Sequence, residues 1–292
     1  QNIGTTLTGA ENLTINIGHF SDDSTLQVTA ANLNIGSTLQ TTGIATLNLG
    51  VYYDENIEDW AYSLVPQILD VTGNLTINKS GASTGGGALV SASTLANPIS
   101  VGGNWTNNRE SSFTAGSGTV IFNGTESGKT ITSGTGNPFY NVEFDALSSG
   151  GVWTLQDDMT VTGAFGVGTY GSFVSGSHTL NISGENATYL GTDINPANTT
   201  WTGGALNIQS NVNQILPSSE VYNDIQLGRY SGVGPTLYTM GSSTIGGTGT
   251  IDNDARVVLT VTVSSAENKV YDATTTATVD AGNISTNNIF PS

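Results

Sequence analysis

The chain has no cysteine, only 6 lysines and arginines, 2 histidines and 7 prolines in 292 residues, and no long uncharged apolar run. Each scarcity excludes something. Without thiols there is no disulfide framework, thiolate metal site or cysteine nucleophile, so stability has to come from strand pairing and packing. The basic residues Lys79, Arg109, Lys129, Arg229, Arg256 and Lys269 stand singly against 23 acidic ones, for a formal charge of −17. No basic patch is available to neutralise a phosphate backbone, which argues against nucleic acid and anionic membrane as partners. No run reaches the roughly 18 apolar residues of a spanning helix, so membrane insertion is not expected. Gln1 reads as the start of a mature or excised fragment, consistent with export after removal of a signal peptide.

Charged residues make up 10% of the chain, against about 25% in ordinary domains, and glycine, at 38 residues, is roughly twice as common as usual. The surface must therefore be covered by Ser, Thr, Asn and Gly, the composition of a secreted, cell-surface or extracellular β-protein. A hydrophobic content of 36% suffices for a narrow core into which each short strand sends one or two side chains.

A short strand ending in Gly or a polar turn recurs along the chain. It appears as Asn12-Leu-Thr-Ile-Asn-Ile-Gly18, Asn32-Leu-Asn-Ile-Gly36, Thr46-Leu-Asn-Leu-Gly50 and Asn74-Leu-Thr-Ile-Asn78. Further on come Thr119-Val-Ile-Phe-Asn-Gly124, Asn141-Val-Glu-Phe-Asp145, Thr179-Leu-Asn-Ile-Ser-Gly184, Ala205-Leu-Asn-Ile-Gln209 and Asp224-Ile-Gln-Leu-Gly228. Apolar residues two apart share one strand face. Starts separated by about 14 to 30 residues match the coil length of a strand-built solenoid. A β-sandwich would also give short alternating strands, but it has no reason to repeat one phrase, whereas a coil stacked on its own copy does.

The expected fold is therefore all-β, a parallel β-solenoid of about twelve irregular coils over residues 1–256. At the strand spacing this gives a rod on the order of 60 Å long. Leu13, Ile15, Leu33, Ile35, Leu47, Leu49, Leu75, Ile77, Leu206 and Ile208 should point into one core. Residues 51–70 break the pattern: apolar Ile57, Trp60, Ala61 and Leu64 behind acidic Asp54, Glu55, Glu58 and Asp59 predict a short helix or loop insertion stopped by Pro66. Residues 257–292 form a C-terminal segment too short for its own core.

The stretch from Phe113-Thr-Ala-Gly-Ser-Gly-Thr-Val-Ile-Phe-Asn-Gly124 through Phe139-Tyr-Asn-Val-Glu-Phe144, Met159-Thr-Val-Thr-Gly163 and His178-Thr-Leu-Asn-Ile-Ser-Gly184 is similar to a module common in large bacterial surface proteins. Asn268-Lys-Val-Tyr-Asp-Ala-Thr-Thr-Thr-Ala277 resembles the opening of the YDG-type module of filamentous-haemagglutinin-like exported proteins, with Ala273 where that family has Gly. The resemblance implies export, a β-helical stalk, and attachment or self-association at a cell surface. It makes residues 257–292 either a partial YDG-like module or an inter-subunit strand, and it supplies no catalytic residue.

No catalytic or cofactor-binding constellation is legible. Asp22–Asp23, Asp157–Asp158 and Asp252 with Asp254 sit in turn-like contexts where Asp bonds its own backbone. A polysaccharide lyase or hydrolase, the third reading of function, would need such carboxylates aligned with a base or with each other. Asp54, Glu55, Glu58 and Asp59 offer oxygen ligands for calcium but lack the glycine-bearing loop of dedicated sites. His19 and His178 are read as surface residues, and the Gly-rich pieces at 84–87 and 246–249 as turns.

Trp105, Trp153 and Trp201 recur 48 residues apart. They would form a sugar-binding face if exposed, which motivates the second reading, a carbohydrate-binding adhesin contacting surface glycans. Glycosylation sequons stand at Asn12, Asn74, Asn78, Asn104, Asn123, Asn181, Asn186, Asn198 and Asn283. The first reading is a structural subunit that associates end to end with copies of itself, using Val257, Val258, Leu259, Val261 and Val263 in the most strand-like run of the chain.

Overall fold

The computed structural model describes residues 1–8, 11–18, 25–39, 42–54, 56, 58–63, 65–80, 85–91, 96–146, 148, 150–217 and 219–231, and beyond them the strand residues 237–240, 244–245, 251–253 and 258–261. The chain is all-β. Its only helical element among the described residues is a 3-10 turn at Pro196–Asn198. No helix there is long and apolar enough to cross a membrane.

The strands belong to stacked sheets that the chain visits in rotation. Ile99–Val101 lies in a ten-stranded sheet, Trp105–Asn107 in an eight-stranded one and Phe113–Thr114 in a four-stranded one; Thr119–Phe122 then returns to the first. The third side continues beyond a break as a five-stranded sheet that starts at Met159–Val161. A strand that returns only after crossing two other sides arrives in the direction of its predecessor. Parallel pairing follows.

Like residues therefore stack on like. Leu33 is level with Leu75 and Leu75 with Trp105 on the second side. Leu180 is level with Leu206 and Ile182 with Ile208 on the third. Their side chains meet in one apolar core, aliphatic toward the N-terminus and aromatic from Trp105 onward. Ring-to-ring contacts run from Phe113 and Trp105 (centroids 4.9 Å apart) through Phe122 and Phe144 (5.0 Å) and Phe173 (5.4 Å from Phe144) to Trp201 and Tyr222 (5.7 Å).

At the corners side-chain oxygens replace the ladder. Asn32 Oδ1 accepts from the Asn74 amide at 2.8 Å, Asn74 Oδ1 from the Asn104 amide at 2.8 Å and Asn104 Oδ1 from the Thr130 amide at 2.9 Å. These bonds span 42, 30 and 26 residues, and the equivalent bond from the Thr179 amide to Asp158 spans 21. Coils are thus longest near the N-terminus. Elsewhere coils approach too closely for any side chain: a Cβ on Gly124 would lie 1.8 Å from the Gly102 carbonyl oxygen. Gly36, at φ +83°, has a backbone conformation that L side chains avoid.

Three expectations are refined. The longest sheet stacks ten strands among the described residues, the last of them beyond residue 256, against about twelve coils expected over residues 1–256. Of the two forms expected for residues 51–70, a short helix or an insertion, the described residues show an insertion: Val51–Asp54 and Asp59–Tyr62 form an antiparallel hairpin, the one antiparallel strand pair among the described residues. Eight of the ten predicted core residues are buried, but Leu13 is half-buried and Ile15 is 37% exposed, because among the described strands theirs pairs on one side only.

Residues 254–257, where a boundary is expected, lie outside the described residues. Val258–Val261 pairs in parallel with Leu237–Met240 as the tenth strand of the first sheet.

Ile15 and Ile77 occupy the same place in identical Asn-Leu-Thr-Ile-Asn phrases, yet Ile77 is fully buried. Ile77→Ala is expected to cost about 2–5 kcal/mol. Ile15→Ala should cost less than about 1 kcal/mol, as for a partly exposed site. Urea unfolding of the two variants side by side checks this, and equal losses would contradict the difference in burial.

Candidate functional site

The interruption of the third side leaves an open groove of about 780 Å³. Residues 133–138 cross the gap without a strand, and Phe139 beyond them forms an isolated parallel bridge to Val161 of the next coil. Asp157, Asp158, His178, Ser183 and Tyr230 are among the groove's lining residues.

Both Asp157 oxygens are engaged, accepting from the Ser133 and Gly134 amides at 2.7 Å each, which pins the crossing loop. Asp158 accepts from the Thr179 amide at 2.8 Å and lies 3.8 Å from His178 Nδ1. Ser183 is five residues beyond His178 on an extended strand that rises about 3.3 Å per residue, beyond hydrogen-bond reach of the imidazole. Asp157 and Asp158 thus each brace one coil against a backbone amide of a neighbouring one.

Among the described residues no three His, Asp or Glu side chains gather where they could hold a metal ion. Asp22, Asp23, His19, Glu55 and Asp254 lie outside the described residues. Asp252 is placed in the strand Ile251–Asn253, level with Gln226.

A carboxylate enters the core beside two buried tyrosines. Glu220, 1% exposed, accepts from the Thr199 hydroxyl and, at 2.8 Å, from Trp201 Nε1, while its Oε2 has no hydrogen-bond partner. Burial raises its pKa, and the two hydrogen bonds only partly oppose that. Burial also raises Tyr189 and Tyr222 well above 10.0, with the Glu220 charge contributing. The arrangement suits an uncharged acid within a wall of aromatic rings.

The three tryptophans do not form a sugar-binding face. Trp105 and Trp153 are fully buried and Trp201 is 8% exposed. Period-two alternation on the second side turns Trp105 and Trp153 inward, between polar Asn104 and Thr106 in one case and Val152 and Thr154 in the other. The exposed aromatics among the described residues are Trp60 and Tyr62 on the hairpin, 56% and 55% exposed, and Tyr140, Tyr170 and Tyr230 elsewhere on the stack.

The sequons divide. Asn12 Oδ1 accepts from the Ile44 amide, and Asn74 and Asn104 carry the corner ladder. Asn181 Oδ1 accepts from Asn207 Nδ2, Asn78 Nδ2 donates to the Gly36 carbonyl, and Asn198 Nδ2 donates to the Gly168 and Thr169 carbonyls. Asn186 is exposed, Asn123 half-buried, and Asn283 lies outside the described residues. Most of these asparagines brace one coil on the next.

Of the expected self-association residues, Val258, Leu259 and Val261 lie in the terminal strand of the ten-stranded sheet, level with Leu237, Tyr238 and Met240. Val257 and Val263 lie outside the described residues. At the other end Asn2–Ile3, Leu13–Ile17 and Gln27–Ala30 each pair on one side only among the described strands. Ile15 and Leu26 are 37% and 38% exposed there.

Two outcomes follow. Asn74→Ala should lose about 1–2 kcal/mol in urea unfolding, because the Asn104 amide is left without its acceptor, whereas Asn74→Asp keeps the acceptor and most of the stability. Glu220 has a folded pKa above its unfolded one, so the stability it contributes is complete below the unfolded value and is lost as pH rises through the folded value. The melting temperature of Glu220→Gln relative to the unaltered protein should accordingly increase between acid and neutral pH. A constant difference would contradict the burial argument.

No protein-family model matches the chain, and no curated protein or solved structure is significantly similar to it.

Proposed function

We propose that the chain is an extracellular structural protein, a parallel β-solenoid of irregular coils that serves as the subunit of a surface filament, stalk or layer and associates end to end with copies of itself. The observation that carries this reading is the N-terminal rung, where three strands each pair on one side only among the described strands and the apolar side chains of Ile15 and Leu26 are exposed beside them. Unpaired N–H and C=O groups beside apolar side chains form a template for a further strand. In a stack of parallel strands the two ends differ, so head-to-tail contact is heterologous and does not close on itself; it extends. The bracing role of the carboxylates and the interior position of the tryptophans favour this reading over hydrolysis and over a tryptophan-lined glycan face.

Electron microscopy and sedimentation of the purified chain test the proposal. Filaments or layers are expected, weakened by Ile15→Lys and lost on deletion of residues 257–292. A monodisperse 30.0 kDa monomer at high concentration would overturn it.

A further inference from the structure

The groove beside residues 133–138 runs along the stack. Its lining residues come from successive coils: residues 133–138 from one, Thr160 and Thr162 from the next, His178 and Ser183 from the one after, and Tyr230 from just past the fourth strand of the five-stranded sheet. Four coil steps of about 4.8 Å make that path roughly 19 Å long. Its floor is the outward face of Met159–Val161 and Leu180–Gly184. Alternation turns Met159, Val161, Leu180 and Ile182 into the core, so Thr160 and Ser183 stand outward. Ser183 is level with Gln209 and Gln209 with Gly228, which has no side chain to obstruct the path toward Tyr230. Tyr230 itself is 53% exposed.

One wall is held in advance. Besides the two Asp157 bonds, Asn137 Oδ1 accepts from the Ser112 and Phe113 amides at 2.6 and 2.7 Å, and its Nδ2 donates to the Arg109 and Thr135 carbonyls at 3.0 Å each. A groove that is already shaped gives up little freedom on binding.

The chemistry selects the occupant. Leu180–Gly184 is paired on both edges, by Met159–Val161 and by Ala205–Ser210, so the floor has no free backbone edge for a peptide strand. No lysine or arginine is among the lining residues, and a charge of −17 repels a polyanion. A polycation finds no row of free carboxylates either: both Asp157 oxygens are committed to the loop, and Asp158 accepts from the Thr179 amide with His178 beside it. Hydroxyl groups and one exposed aromatic ring remain, and these suit a chain of hydroxyls with apolar ring faces.

We infer that this groove binds a linear, uncharged polysaccharide lying along the stack, its hydroxyls bonded to Thr160, Ser183 and Asp158 and one sugar ring packed on Tyr230. The coil spacing of about 4.8 Å is close to the length of one sugar ring in an extended chain, so consecutive rings meet consecutive coils. The groove lies on a flank and works with or without end-to-end association.

Affinity electrophoresis of the full chain tests this, with dextran, galactomannan or hydroxyethyl cellulose in the gel as neutral probes, alginate as the charged control, and migration without polymer as the reference. Retardation by at least one neutral polymer is expected. Affinity should fall at least tenfold in Tyr230→Ala and in Ser183→Lys, whose longer side chain fills the floor. Tyr230→Phe and the hairpin variant Trp60→Ala/Tyr62→Ala should bind like the unaltered chain, with unaltered melting temperatures throughout. Migration unaffected by every neutral polymer would overturn the inference. So would retardation by alginate alone, or retardation that both groove variants retain.

Discussion

Every coil has to present its backbone groups at the height of the coil before it, and most of the sequence is shaped by that requirement. A parallel ladder fixes register residue by residue, so an inward side chain always meets the inward side chain of the neighbouring coil. Leu on Leu and Ile on Ile satisfy this with little adjustment, as Leu180 with Leu206 and Ile182 with Ile208 illustrate. Where the chain turns, the ladder lapses and the amides need other acceptors. Asn32, Asn74 and Asn104 supply them with side-chain oxygens, and Gln67 and Gln214 do so for the Leu26 and Tyr189 amides at 2.8 and 2.9 Å. The abundance of asparagine that reads in the sequence as a run of glycosylation triplets is in large part this bracing.

Strand positions and their inward faces were legible because alternation and recurrence point the same way. The assignment of each phrase to a side was not. Asn12-Leu-Thr-Ile-Asn and Asn74-Leu-Thr-Ile-Asn are identical, yet Leu13–Ile17 lies on the third side and Leu75–Ile77 on the second. Local sequence sets a strand and its buried face, while the side it joins depends on how much chain intervenes. That amount varies between 21 and 42 residues in the corner bonds.

Two patterns in the sequence are overruled by the stack. Ile57, Trp60, Ala61 and Leu64 have helical spacing, but tertiary context overrode the period: the segment leaves and re-enters the stack through Gly50 and Ser63, and a hairpin returns the chain to its starting point. Trp105 and Trp153 are two coils apart on the second side, with Lys129–Thr132 between them, so their spacing reports the coil length and says nothing about exposure. Their neighbours Asn104, Thr106 and Thr154 carried the deciding signal, since a ring flanked by polar residues in an alternating strand points inward.

The charge distribution bears on how such molecules would assemble. With a formal charge of −17 and two of its six cations, Arg109 and Lys129, engaged within the chain, lateral contact between copies brings like charges together. Salt screens that repulsion over about 8–10 Å without making it attractive. End-to-end contact would work differently, because it would rest on backbone hydrogen bonds at the strand edges and on exposed apolar side chains such as Ile15 and Leu26. Such a contact would not need the charged flanks to attract one another.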